Sequence, residues 1–241
     1  ADELLVASDT DDPIARPAGL YLRGLVDFLL GAIAESSMAI KELLDLAPVV
    51  DWRRHRHLVA FGVRGYGVAA WIAAVRSEAT AADAALAHAK VLADSYSDPF
   101  ERGTVGIAEL QARAIMGRVV GTAELAASLH AALMAAKLDQ LAASAKVIEC
   151  WALALGPEGT DTADEMRAAL AVHTHDGTRI YLPLYYQLLA DVEWTRGRAD
   201  TARQALCLAE STAAATGESV WDRQLAGRSS VMRPTSARLT S

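Results

Sequence analysis

The stretch VHTHDG, residues 172–177, places two imidazoles and a carboxylate within a few positions, residue types that ligate zinc or move protons. His173 and His175 are two apart, which splays them to different faces of a helix, and no second pair at HExxH spacing accompanies them. With Asp176 they read as a polar loop between repeats, and no metal is expected. DWRRHRH, Asp51 to His57, is the densest cationic run and has the charge to hold an anion. Runs of this kind at element ends are usually solvated, so the expectation is the start of a helix from about His55. The macrodipole disfavours cations there, and some neutralising contact should follow.

Other reactive residue types are dispersed. Cys150 and Cys207 lack CxxC spacing and read as small core residues of a chain in a reducing compartment. His88 and His130 are single histidines expected at partly buried interfaces. Glu109 with Arg113 and Lys146 with Glu149 are ordinary intrahelical pairs, worth a few tenths of a kcal/mol. The sequence contains no GxSxG, SxxK or Cys–His signature and no GxxxxGK[ST] phosphate loop. No catalytic residue and no cofactor is assigned.

The elements that carry these residues follow from composition. Of 241 residues 52% are hydrophobic but only 6% aromatic, and alanine dominates the apolar set. Alanine has the best helix propensity and lets backbones approach closely. With β-branched residues sparse and alternating patterns absent, the fold is expected to be all-α. The net charge of −7 repels phosphate backbones, so direct nucleic-acid binding is not expected. No membrane-spanning run or signal pattern is evident, and the expected location is the cytoplasm.

LADVEWTRGRADTARQALCLAE, residues 189–210, shows how the helices connect. Leu184, Leu188, Leu189 and Val192 repeat with helical period before Gly197, and Ala202, Ala205, Leu206 and Ala209 do so after it. A short linker, a glycine suited to left-handed backbone and Asp200 or Thr201 as a cap make this an αα-hairpin. Small residues lie seven before the glycine (Ala190) and five and twelve after it (Ala202, Ala209). The same spacing recurs from Ser77 (Ala70, Ala82, Ala89), and from Gly31 it finds Gly24 and Ser36, with Ile40 nine after and Leu43 where a small residue is expected. From Gly121 it finds Ala114 and Ala126, but His130 and Leu133 break it. Around Gly156 it fits only with about two residues inserted. The turn marks at 31, 77, 121, 156 and 197 step by 46, 44, 35 and 41.

Small–turn–small spacing across a helical hairpin resembles the tetratricopeptide repeat, in a divergent form, since a regular array steps by about 34. GLYLRGLVDFLLG, ALAHAKVLADSYSDPF and the stretch from Thr178 to Asp222 resemble, more narrowly, the helical repeat region of large bacterial regulators. Those regulators carry a nucleotide-triphosphatase switch joined to a LuxR-type DNA-binding domain or an adenylate/guanylate cyclase domain. The resemblance implies a sensor or docking surface, with chemistry residing in other domains of a parent chain. It lapses after Asp222, where RQLAGRSSVMRP replaces an expected apolar helix.

The expected architecture is a right-handed superhelix of about five αα-hairpins over residues 17–226. Residues 1–16 read as the end of a preceding helix and a linker, and 227–241 as a disordered or appended tail. In such an array the first helix of each hairpin lines the concave side. Counting from the turns, that side should present Tyr21, Phe28, Arg64, Trp71, Gln111, Arg118, Gln187, Asp191 and Trp194. This mixture of aromatics and single charges is the composition of binding hot spots. The expected ligand is a peptide, protein or small effector, and a homodimer is a further expected assembly. The rival expectations are an oligomerisation or autoinhibitory scaffold and an enzyme with an all-α cavity.

Overall fold

The computed structural model describes residues 14–46, 56–175 and 177–232. Among these the chain is helical and contains no strand. The helices are α1 (Ala15–Leu29), α2 (Ile33–Asp45), α3 (Arg56–Val75), α4 (Ala79–Tyr96), α5 (Pro99–Ile115) and α6 (Thr122–Ala135). They continue as α7 (Asp139–Leu155), α8 (Ala163–Thr174), α9 (Leu182–Thr195), α10 (Ala199–Thr216), a single 3-10 turn (Ser219–Trp221) and α11 (Asp222–Met232). Residues 1–13, Asp51–His55 of the cationic run and Asp176 lie outside the described residues. α11 carries 227–232, which the sequence pattern assigns to the tail.

Tight turns make the hairpins. After α1, α3, α6 and α9 the residues Gly31, Ser77, Lys137 and Gly197 take positive φ (75°, 62°, 57° and 71°). In each turn the next residue's N–H reaches back five positions to a helical carbonyl: Ala32 to Asp27, Glu78 to Ala73, Leu138 to Leu133 and Arg198 to Glu193. That is the Schellman stop, which satisfies carbonyls otherwise left bare. Lys137 carries no glycine-type turn signal, and its turn explains why the spacing from Gly121 breaks. His130 lies seven before Lys137 and Ala142 five after, and the imidazole Nδ1 sits 2.9 Å from the Ala142 carbonyl. Ser36 likewise donates to the Gly24 carbonyl (2.7 Å) and Thr162 to that of Cys150 (2.7 Å). Gly156 is extended (φ −71°, ψ 176°), and the left-handed glycine of that connection is Gly159.

The odd-numbered helices form an inner layer, each packed on the next, with the even-numbered helices outside. The outer helices bury one stripe, such as Ala82, Leu86, Ala89 and Ala93 of α4. Of the inner helices, α3, α5, α7 and α9 bury most of their surface, including nearly all of α7 between Ala142 and Ala154. The α3 segment Leu58–Val75 does reach the length and hydropathy of a membrane span, and 67% of it is buried in this layer.

Neighbouring repeats lock at a fixed offset. Arg64 bonds Glu101, Trp71 bonds the Ala108 carbonyl, Gln187 bonds Gln224 and Arg228 bonds Asp191, every pair 37 residues apart. Arg198 to Asp161 and Tyr181 to Glu218 keep the same separation. α3 with α5 and α9 with α11 therefore run parallel in the same stagger.

The two ends of the array meet. Phe28 of α1 stands edge-on to Trp221, ring centroids 6.2 Å apart. A Cβ on Gly31 would lie 3.4 Å from the Ser219 carbonyl carbon, and one on Gly217 3.5 Å from Leu30.

Candidate functional site

Closure decides what the inner face presents. Phe28, Trp71, Gln111 and Gln187, expected on an open concave side, are 0%, 8%, 1% and 1% exposed. They face inward as periodicity requires, but the residues opposite fill the space. Phe28 packs on Trp71 (5.8 Å), and Trp71 meets Tyr181 edge-on (5.2 Å). Gln111 of α5 donates across the axis to the Tyr185 hydroxyl of α9 (2.8 Å), while its Oε1 is buried without a partner.

The partly open positions lie beside this plug. Tyr21 packs on Phe61 (5.9 Å) and faces the Arg64–Glu101 pair, and burial raises its pKa. Arg64 binds buried Glu101 at 2.5 Å and lies 5.5 Å over the Phe100 ring. Glu101 stands there because Asp98 caps α5, accepting from the Phe100 N–H at 2.8 Å, with Pro99 in the first turn. Asp191 receives both Nε and Nη2 of Arg228 (2.7 and 2.8 Å). Gln187 fits its neighbours best with its amide oxygen turned to Arg228, at 2.9 and 3.2 Å, and its bond to Gln224 is then kept by Gln224 donating through its own amide NH2. Trp194 is half-buried against the core. Arg118 does not belong to this face. α5 ends at Ile115, so Arg118 sits in the following turn and binds Asp83 of α4 (2.8 Å).

A buried polar chain crosses α5, α7, α8 and α9. Gln111 bonds Tyr185, whose ring meets His173 edge-on at 5.2 Å, and His173 Nδ1 lies 3.0 Å from Ser144 Oγ. Ser144 Oγ also lies 3.1 Å from the Gln140 carbonyl, and with the hydroxyl proton given to that carbonyl the imidazole donates its Nδ1–H to Ser144. Burial lowers the pKa of His173 and pushes that of Tyr185 up to about 12. Both are held neutral, which suits packing. His175 is exposed and does not share His173's environment.

Several of these residues gave no local signal in the sequence. Tyr181, Tyr185, Glu218 and Trp221 acquire their roles only because the array closes; the turn at Gly217 (φ 76°) was the one hint that a new element began before Trp221.

Between α10 and α11 a cavity of about 760 Å³ is floored by Leu206, Ala213, Ala214, Leu225 and Met232, with Cys207 exposed at its side. No family model, curated protein or solved structure matches the chain.

Proposed function

We propose that this chain is a non-catalytic, tetratricopeptide-like repeat module of a bacterial signalling or transcription regulator, one that binds a peptide, protein or small effector on its inner face. In this reading the helices form a right-handed superhelix in the cytoplasm, and occupancy passes to attached domains as a change of curvature. The observation that carries it is the meeting of α1 with residues 217–221. A repeat array whose ends touch has a closed and an open curvature, and a ligand that favours one shifts the balance by its differential affinity. The inner face holds the groups such a ligand needs: aromatics, the Asp191–Arg228 pair, and the unpartnered Gln111 oxygen.

A displayed random-peptide selection against the folded chain tests this. Sequences that bind wild type and Glu35→Ala, on the exposed side of α2, but not Asp191→Ala support an inner-face site. Sequences indifferent to Asp191→Ala would move the site elsewhere.

The groove between α10 and α11 favours a second reading, an oligomerisation scaffold. Light scattering that shows a tight dimer, broken by Ala214→Glu in the groove, would establish it over ligand sensing.

A further inference from the structure

Buried carboxylates in this array are neutralised, with one exception. Glu101 has Arg64, Glu109 has Lys90 and Arg113, and Glu193 has Arg167 and Arg198. Glu218, 2% exposed, has no cationic partner among the described residues. Its carboxylate accepts from the Trp221 indole N–H (2.8 Å), the Tyr181 backbone N–H (3.3 Å) and the Thr216 hydroxyl (3.2 Å). The titratable groups that face it are phenols, Tyr181 just before α9 and Tyr185 within it, with Tyr21 of α1 behind Tyr181. Burial raises all three, so none changes charge near neutral pH.

This carboxylate stands where α1 meets residues 217–221, and it completes a circuit. Phe28 packs on Trp71, Trp71 on Tyr181, Glu218 ties Tyr181 to Trp221, and Trp221 returns to Phe28. α11 is held to α9 separately, through Asp191 and Arg228. Parting would therefore fall between α1 and α3 on one side and α9 through α11 on the other.

We propose that this seam is a clasp, which opens as one unit to uncover the inner face and opens more readily when Glu218 is ionised. Its regulatory purpose rests on the inner face being the binding side, but the clasp is a property of the free chain. Burial without a cation holds Glu218 above its ordinary value of 4.5. Closure is then fullest below that value and weakens as pH rises through the raised one.

Hydrogen exchange on the ligand-free chain, corrected for the intrinsic rate at each pH, tests the clasp. Protection in residues 20–31, 177–186 and 217–225 should fall several-fold together from acid to neutral pH, while 139–155 in α7 stays constant. Glu218→Gln, whose amide can donate to Thr216 and accept the other two bonds, should hold these segments closed at every pH. A flat wild-type profile, or a variant with the wild-type profile, overturns the proposal. Trp221→Phe should raise exchange in both 20–31 and 217–225 even in acid, and a rise confined to 217–225 also overturns it. A working clasp without peptide enrichment would remove only the inner-face ligand, and enrichment without a working clasp would remove only the clasp.

Discussion

The indole of Trp71 stands edge-on to the ring of Tyr181 at 5.2 Å, although one belongs to the second helical pair and the other begins the fifth. No neighbour-to-neighbour packing rule brings these two residues together. They meet because rotation accumulates from repeat to repeat until the inner layer comes round on itself. The same Trp71 donates its indole N–H to the Ala108 carbonyl, so one side chain serves both the local stack and the closure.

Phe28→Ala tests the contribution of that closure. The ring is fully buried and touches Trp71 and Trp221, so its loss leaves a cavity that rigid helices on three sides cannot collapse into. The expected cost is about 3–5 kcal/mol in urea unfolding. A cost below about 1 kcal/mol would mean the ends do not pack in solution.

The turns give a second, opposed pair of predictions. Gly197 has no atom within 4 Å of a built Cβ, so Gly197→Val should lose stability through backbone strain alone, about 1–2 kcal/mol. Lys137 already bears such strain at φ 57°, and Lys137→Gly should raise the melting temperature. An unchanged melt for both would contradict the left-handed geometry.

Small residues at the crossings predict overpacking. Ala190 and Ala202 are fully buried seven before and five after Gly197, so either one changed to Leu should cost about 1–3 kcal/mol. Thermal or urea melts that leave these variants at wild-type stability would place the crossing elsewhere.

These turns also mark how far the sequence reached. Gly31, Ser77 and Gly197, with their small partners, were legible because stop signals and packing periodicity are local. Lys137 was not, since a lysine in left-handed backbone is imposed by its neighbours and leaves no mark in composition. Inward orientation of Phe28, Trp71, Gln111 and Gln187 was legible from helical phase; their burial was not. Whether a curved array stays open depends on small rotations summed over every repeat, and Phe28 and Trp221 lie almost a chain length apart. Arg118 was misplaced for a nearer reason, because α5 stops before reaching it.

His173 gives a pH dependence with a definite sign. Desolvation holds its pKa below the ordinary 6.5, so between the two values only the unfolded chain binds the proton. Its contribution is complete above 6.5 and is lost as pH falls through the lower folded value, at most about 1.4 kcal/mol per pH unit. Glu218 contributes in the opposite direction, so the comparison is between wild type and His173→Gln, not wild type alone. Urea midpoints from pH 7.5 down to about 5 should fall more steeply for wild type. Parallel slopes would mean the imidazole is solvated or already charged.

The two thiols should separate completely under native conditions. Cys150 is fully buried in α7, and burial pushes its pKa up to about 12, so thiolate is scarce and access is closed. Cys207 is exposed on α10 beside the groove to α11. Maleimide should add once per native chain, at Cys207, with the second adduct appearing only in denaturant. Adduct mass spectrometry reads this directly. Modification of Cys150 at a rate that follows urea concentration below the unfolding transition would show that α7 opens locally. That result would contradict an inner layer that remains intact while the array's ends part.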